Sequence, residues 1–379
     1  MNHEKKVRLT LVILVSLFSH GLSAQHAEAS LAQRAAHLRH GINTSHWFAQ
    51  VFDPKGYTKE HFQTWTTSKD IALIKTLGFD HIRLSVNPAP MFLQNHADEI
   101  PAEYLSNLDE AVKMILDHDL AVVIDLHPES DFKAKLAHDD FVEQLADYWR
   151  ALARHYSSTD PERVFFEILN EPEMPDRYRW SGVQTKLALA IREGAPKHTI
   201  IAAGAQWSAD DLLLFLQPLR DPNVIYNFHF YEPHLFTHQG ATWGVNHWHF
   251  LKGLRYPSDA ESAAKTASAE PDPVNRLQVV RYGLDHWDAK RIDSEIAQVA
   301  DWAKRWNVSV VCNEFGVYRK NADPQDRAEW IRDVRTSLEN HGMGWTMWDY
   351  AGGFAVVVKS DGQATPDEVT LKALGLKAP

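Results

Sequence analysis

Cysteine is all but missing: Cys312 stands alone among 379 residues, so the chain can close no internal disulfide and an oxidising compartment would place no demand on its fold. Long apolar runs are missing as well. After Leu9 to Phe18 no stretch approaches the ~20 apolar residues that a bilayer-spanning helix needs. Positive charge is in deficit, with 39 Lys and Arg against 50 Asp and Glu and a formal net charge of −11. That is the wrong sign for a surface tracking nucleic-acid phosphates, so nucleic acid is excluded as a partner and a neutral substrate fits better. No Pro/Ser linker, low-complexity block or solenoid-type repeat divides the chain.

What is present is ordinary for a folded protein, 44% hydrophobic and 23% charged, with one excess: 13 tryptophans. Core packing alone does not require so many, and flat sugar faces are one thing such rings bind. The first residues have a basic start, an apolar run from Leu9 to Phe18 and a small-residue exit at Leu22, Ser23 and Ala24. A signal peptide over residues 1–24 is expected, followed by one domain over 25–379 and a secreted or periplasmic location, with no membrane partner after leader cleavage.

From Gly41 onward, Val/Ile/Phe-rich runs alternate with longer amphipathic stretches, the pattern of repeated βα units. Eight strands are predicted: Gly41–Trp47, His81–Val86, Ala121–His127, Val164–Asn170, Thr199–Trp207, Val224–Tyr231, Ser309–Phe315 and Gly344–Tyr350. Helical faces are read at Leu105, Leu108, Val112, Ile115 and Leu116; at Ile292, Ile296, Val299, Ala303 and Trp306; and at Trp330, Val334 and Leu338. Gly78 and Gly342 follow helix ends. A single-domain α/β fold, a closed (β/α)8 barrel, is the simplest closure. The connection from Glu232 to Lys290, about sixty residues, is far longer than usual loops. It is too aromatic for a disordered insert, so an ordered subdomain is expected, with Lys252–Asp272 as its most mobile part.

Barrel enzymes carry their reacting groups at the C-terminal ends of the strands. Those positions here hold Asn43, His46 and Trp47; Arg83; His127; Asn170 and Glu171; Trp207; His229 and Tyr231; Asn313 and Glu314; and Trp348 and Asp349. Glu171 could be a surface carboxylate in a turn before Pro172, and Glu314 a structural ion-pair partner. Their joint placement after strands four and seven favours chemistry, because a glycosidase needs one protonated carboxyl for the leaving group and one ionised carboxyl across the bond.

Ile168 to Pro172 reads I-L-N-E-P and Val311 to Gly316 reads V-C-N-E-F-G. With H-I-R-L-S at His81–Ser85, D-L-H at Asp125–His127, F-H-F-Y at Phe228–Tyr231 and W-T-M-W at Trp345–Trp348, the chain from Gly41 to Tyr350 resembles glycoside hydrolase family 5, the cellulase-type family of retaining β-glycosidases. The resemblance implies Glu171 as acid/base and Glu314 as nucleophile, ~5 Å apart. It further implies Asn170 on the sugar 2-hydroxyl, Arg83 and Tyr231 holding Glu314 ionised, His127 and His229 on the polar floor, and Trp348, followed by a cis peptide bond, as the sugar platform. His46, Trp47, Trp207, Trp243 and Trp248 are candidate subsite residues. No cofactor or metal is expected, the partner is a polysaccharide or oligosaccharide, and a monomer suffices. β-1,4-Glucan is the expected substrate, with endo action. The strand-one sequence G-I-N-T-S-H-W-F-A-Q and Pro128 depart from common cellulase patterns and keep an exo- or endo-acting β-1,3/1,6-glucosidase or a β-mannanase open.

Two other classes compete. A metal-dependent barrel hydrolase could use the H-x-H pair His247 and His249, but that pair falls in the long loop rather than at the end of strand one. A non-catalytic carbohydrate-binding barrel would use the aromatic rim for recognition alone, yet both carboxylates are retained.

Overall fold

The computed structural model describes residues 31–245, 248–360 and 362–377; the expected leader over residues 1–24 and His247 of the H-x-H pair lie outside them. Eight parallel strands close into a barrel in sequential order: β1 His40–Asn43, β2 His81–Val86, β3 Ala121–Leu126, β4 Val164–Glu167, β5 Thr199–Ala203, β6 Val224–Phe230, β7 Val310–Phe315 and β8 Gly344–Met347, with β8 pairing back onto β1. Each strand is followed by at least one helix, and the set runs from Lys59–Thr64 to Glu368–Ala373. A short hairpin, Val357–Ser360 with Gln363–Pro366, precedes the last.

Period-two alternation divides each strand between two environments. One set of side chains, including Ile82, Leu84, Val122, Ile124, Val164, Phe166 and Ile200, joins the helix faces in the large outer core. The other set, Ala121, Val123, Phe165, Ile201, Ile225 and Val311, forms a separate apolar cluster closed by Leu38. Continuing the same alternation toward the strand ends brings Arg83, Asp125, Glu167, Asn227 and Asn313 into line above it, all buried. The barrel is therefore dry at its foot and polar at its mouth, and the polar layer is where the chemistry sits.

The strands are shorter than predicted at the ends of β1, β3, β4, β5, β6 and β8, and β7 starts one residue later, at Val310. After β1, β4 and β5 the chain has left the sheet by the predicted strand ends: His46, Glu171, Gln206, Trp207 and Ser208, at or just beyond those ends, all have positive φ, between 44° and 61°. Such left-handed non-glycine residues cluster where a loop must aim a side chain. On the helix Ala289–Trp306 the predicted face needs one correction: Trp306 is 42% exposed, and Trp302, at 2%, packs inward instead. Buried Ile292, Ile296, Val299 and Trp302 follow the 3–4 spacing one step short of Trp306. Gly78 and Gly342 do cap helix ends with positive φ.

The long connection after β6 is built, not loose. Helices span His234–Thr237, Ala260–Ala269 and Pro273–Leu284, the last two N-capped by Asp259 and Asp272. The stretch Lys252–Asp272 thus contains a capped helix. Phe236, Tyr256, Tyr282 and Trp287 are buried in the core, and Arg255 and Tyr256 bind Asp326 and Asp333 on the helix Pro324–Asn340. Most of the aromatic excess in this segment is packing.

At the barrel foot, Gly344 opens β8 where a Cβ would collide with the carbonyl oxygen of Leu38. Backbone cannot retreat as a side-chain tip can. Gly344→Ala should cost about 2 kcal/mol or more through overpacking and lower the melting temperature by several degrees, with hydrolytic chemistry intact in the folded fraction; an unchanged thermal transition would show that the foot of the barrel relaxes freely.

Candidate active site

Arg83 is the centre of the polar layer, fully buried at the middle of β2. Its Nη1 donates to Glu314 Oε1 at 2.7 Å and Asn43 Oδ1 at 2.9 Å; its Nη2 donates to Glu167 Oε1 and Asn170 Oδ1, both at 2.9 Å, and lies 3.0 Å from Asp125 Oδ2; its Nε donates to Glu167 Oε2 at 2.8 Å. Burial works against the guanidinium charge, but Asp125, Glu167 and Glu314 together hold its pKa well above the ordinary arginine value. The planar fork suits this role, since it can serve several carboxylates at once with little reorganisation.

Glu314, at the end of β7, accepts on both oxygens: from Arg83 on Oε1 and from the Tyr231 hydroxyl, 2.9 Å away, on Oε2. Burial first, then the charge of Glu314, keeps the Tyr231 phenol far above its usual pKa, so it remains a donor. Glu171 follows Asn170 in a left-handed conformation, φ 44°, and is partly open to solvent. His229 stands between the two carboxyl groups, its Nδ1 3.0 Å from Glu171 Oε1 and 3.5 Å from Glu314 Oε2. One oxygen of each carboxyl and one nitrogen of His229 all lie within 4.8 Å of one another. Among the described residues this is the group compact enough to share a cation, and the guanidinium of Arg83 already supplies positive charge at Glu314.

His127 Nδ1 lies 2.8 Å from Asp125 Oδ2 and its Nε2 3.1 Å from Asn170 Nδ2, while its ring stacks on Trp348 at 5.5 Å and 14°. Burial pushes His127 down to about 3 and His229 down to about 4, so both are neutral imidazoles at ordinary pH. Trp348, in a cluster with Tyr231 and Phe354, is followed by the expected cis bond to Asp349. Asp349 is buried and receives the Ser45 hydroxyl on Oδ2, with His46 Nε2 4.0 Å off.

The sequence-predicted residues Arg83, His127, Asn170, Glu171, His229, Tyr231, Glu314 and Trp348 are thus brought together, with His46 at the margin. Trp47 is not. It is 1% exposed and donates its indole N–H to Phe62 O, a core residue rather than a sugar contact; in the strand-end loop the alternation turns His46 out and Trp47 in. Trp207 is 57% exposed, and its backbone N–H donates to Pro172 O, one residue past Glu171. Trp243 is 47% exposed beside Tyr318 and Phe354, and Trp248 stacks on His234 and packs tilted against His238. Sequence reasoning missed Glu167 and left Asp125 without a role. A signal existed: each is a carboxylate inside an otherwise apolar strand, on the same parity as Arg83 on its own strand.

The model of cellulase, glycosyl hydrolase family 5, matches residues 41–353. The chain belongs to glycoside hydrolase family 5. It is 29% identical to endoglucanase C of Acetivibrio thermocellus, covering 82% of this chain and 90% of that protein. It is 32% identical to cellodextrinase A of Ruminococcus flavefaciens, covering 80% and 82%. Among solved structures, Thermotoga maritima Cel5A in complex with cellobiose superposes with a TM-score of 0.75 at 24% identity, covering 90% of this chain and 98% of that one. The cellulose synthase subunit Z of Clostridioides difficile gives 0.72 at 25%, covering 89% and 99%. This family 5 chain is a glycosyl hydrolase, and among its described residues no helix is long and apolar enough to cross a membrane.

The two neutral histidines have a thermodynamic signature. In the unfolded chain His229 binds a proton near its ordinary 6.5, but in the native site only near 4, so its contribution to stability is complete above 6.5 and is lost as the pH falls through the folded value. His229→Gln removes that titration. Its melting temperature, relative to the native protein, should climb as pH is lowered from about 7 to about 4; a difference that stays flat with pH would mean His229 is not held neutral.

Proposed function

We propose that the protein is an exported, retaining endo-β-1,4-glucanase in which Glu171 is the acid/base and Glu314 the nucleophile. The observation that carries this reading is that one oxygen of the Glu171 carboxyl and one of the Glu314 carboxyl lie within 4.8 Å of each other. Inverting glycosidases need roughly 6.5 Å or more to seat a water between their carboxyls, whereas retaining enzymes hold them ~5 Å apart. With no room for that water, Glu314 attacks the anomeric carbon. Glu171 protonates the departing oxygen and then, as a carboxylate, activates the water that releases the glycosyl-enzyme. Asn170, with Oδ1 on Arg83 and Nδ2 on His127, keeps a second amide hydrogen for the sugar 2-hydroxyl, and Trp348 offers its face to the cleaved unit.

Two relatives support the glucan reading, an endoglucanase and a cellodextrinase covered over most of their length. The apolar leader sequence supports export. All the site groups come from one chain, so a monomer can act alone. The long segment after β6 borders the cleft through Tyr231, His234 and Trp243, which supports a role in setting substrate length.

Replacing either carboxylate distinguishes their roles. Glu314→Ala should abolish turnover of natural glucans. Glu171→Ala should still form the intermediate from an activated aryl cellobioside, and added azide should accelerate it to a β-glycosyl azide. NMR of fresh native hydrolysate should show the β-anomer before mutarotation; the α-anomer appearing first would make the enzyme inverting. The same digests run on cellulose, β-1,3-glucan, mannan and xyloglucan oligomers should yield cello-oligosaccharides predominantly, and preference for another glycan would overturn the linkage assignment.

Trp207 is exposed, and its backbone N–H meets the turn just after Glu171, which supports assigning it to the leaving-group side. Trp207→Ala should raise KM for longer cello-oligosaccharides while changing hydrolysis of a short activated aryl glycoside by no more than about twofold. Equal losses on both substrates would remove it from that subsite.

A further inference from the structure

Arg83 carries one positive charge, yet three buried carboxylates touch it: Glu314 at 2.7 Å, Glu167 at 2.8 Å and Asp125 at 3.0 Å. Two further charges face Asp125 from outside this shell, Lys133 and Glu171, and Lys133 is itself paired with Glu173 at 3.1 Å. Ionising all three carboxylates would strand a double negative excess in a site closed to water, which proteins avoid by taking up a proton. The hydrogen bonds show which group can take it.

Glu167 has no place for a proton. Its Oε1 accepts from Arg83 Nη2 and from Asn227 Nδ2 at 3.1 Å, and its Oε2 from Arg83 Nε and from Asn313 Nδ2 at 2.7 Å. Four donors fill both oxygens, so a proton would have to expel one of them. Glu314 likewise accepts on each oxygen. Asp125 is different. Arg83 Nη2 and His127 Nδ1 both meet Oδ2, while Oδ1 is buried without a partner among the described residues. Protonation there displaces nothing, and a neutral hydroxyl without an acceptor costs less than an uncompensated buried charge.

The direction of the surrounding bonds also follows. Arg83 can only donate, so the Asn170 atom it meets is Oδ1 and Nδ2 must face His127. His127 Nε2 is then an acceptor, its one ring hydrogen is on Nδ1, and that hydrogen points to Asp125 Oδ2. Arg83, Asn170, His127 and Asp125 form a closed ring that fixes the Asn170 amide. A proton on Oδ1 leaves Oδ2 free to accept, so the ring survives it.

We propose that the two carboxylates sharing Arg83 have opposite duties: Glu167 is a permanent anion that locks the guanidinium, and Asp125 holds the spare proton on Oδ1 while positioning Asn170 through His127. Burial pushes the Asp125 carboxyl up to about 7, with Glu171 acting in the same sense and Arg83 and Lys133 opposing it; burial raises the Glu167 carboxyl as well, but there four donors already fill both oxygens. The consequence for turnover rests on the functional reading above. With Asp125 neutral, the cluster of Arg83, Glu167 and Glu314 carries one negative charge before attack and none once Glu314 is esterified, so the glycosyl-enzyme strands no charge.

The test compares Asp125→Asn, Asp125→Ala and Glu167→Gln in the full chain. Asparagine at 125 mimics the protonated acid, with its carbonyl oxygen at Oδ2 and its amide in the vacant Oδ1 position. Asp125→Ala should lose roughly ten- to hundredfold in kcat/KM at pH ~5, as loss of an orienting partner does, and Asp125→Asn should recover most of that loss. Glu167→Gln should lose at least as much as Asp125→Ala, because its amide nitrogen would face donors. A second measurement needs no activity. Native Asp125, its folded pKa raised above the unfolded value of 3.8, contributes stability that is complete below that value and is lost as pH rises through about 7. The melting temperature of Asp125→Asn relative to native should therefore increase between pH ~4 and ~7 and then level off. If native gains on Asp125→Asn over that range, if the Asn variant is as impaired as the Ala variant, or if Glu167→Gln matches the native enzyme, the assignment is overturned. Because the melting curves stand whatever the glycan or stereochemistry, failure of the functional reading would be seen separately, in the azide and anomer experiments.

Discussion

A guanidinium buried at the mouth of a barrel is an expensive object. Removing Arg83 from water is tolerable only because each of its hydrogen-bonding edges meets an oxygen, and those oxygens come from β1, β3, β4 and β7 or the turns just after them. Through Glu167 the demand spreads to Asn227 on β6 and Asn313 on β7. The polar layer therefore stands or falls as one network, in which a half-satisfied member would be worse than an apolar one. The same network orients Asn170 and presents Glu314, so the cost of burying the charge and the accuracy of the site have a common origin.

Much of this was legible before any coordinates. The eight apolar runs, the glycines after Leu77 and His341, and the ordered motifs at strand ends were enough to read the barrel and bring the polar residues to one face, because period-two burial and strand-end chemistry are local properties of sequence. Glu167 was not read. Its neighbours Val164, Phe165 and Phe166 make the strand look uniformly buried, and only the position of Arg83 two strands away gives a carboxylate there a partner. Non-local pairing of this kind is invisible to spacing within one strand.

The tryptophans mark another limit of sequence. Thirteen of them suggested a sugar-binding surface, yet Trp47, Trp149, Trp180, Trp302, Trp330 and Trp345 are among the largest fully buried side chains. An indole in a barrel of this size fills the space between strand and helix, and its N–H is met by a carbonyl, as Phe62, Ile168 and Ala203 do for Trp47, Trp149 and Trp180. Which rings line a cleft depends on where a strand-end loop turns its side chains. A single left-handed residue reverses that choice, as His46 does beside Trp47.

The turn after β5 shows what such geometry entails. Gln206, Trp207 and Ser208 are three successive left-handed residues, anchored to the neighbouring turn by Trp207 N–H on Pro172 O and by Gln206 Nε2 on Pro175 O. Trp207 and the turn that carries Glu171 thus hang from one splice between neighbouring loops. Neither side chain can be re-aimed alone, because any change in the course of one loop is handed to the other through the same two hydrogen bonds.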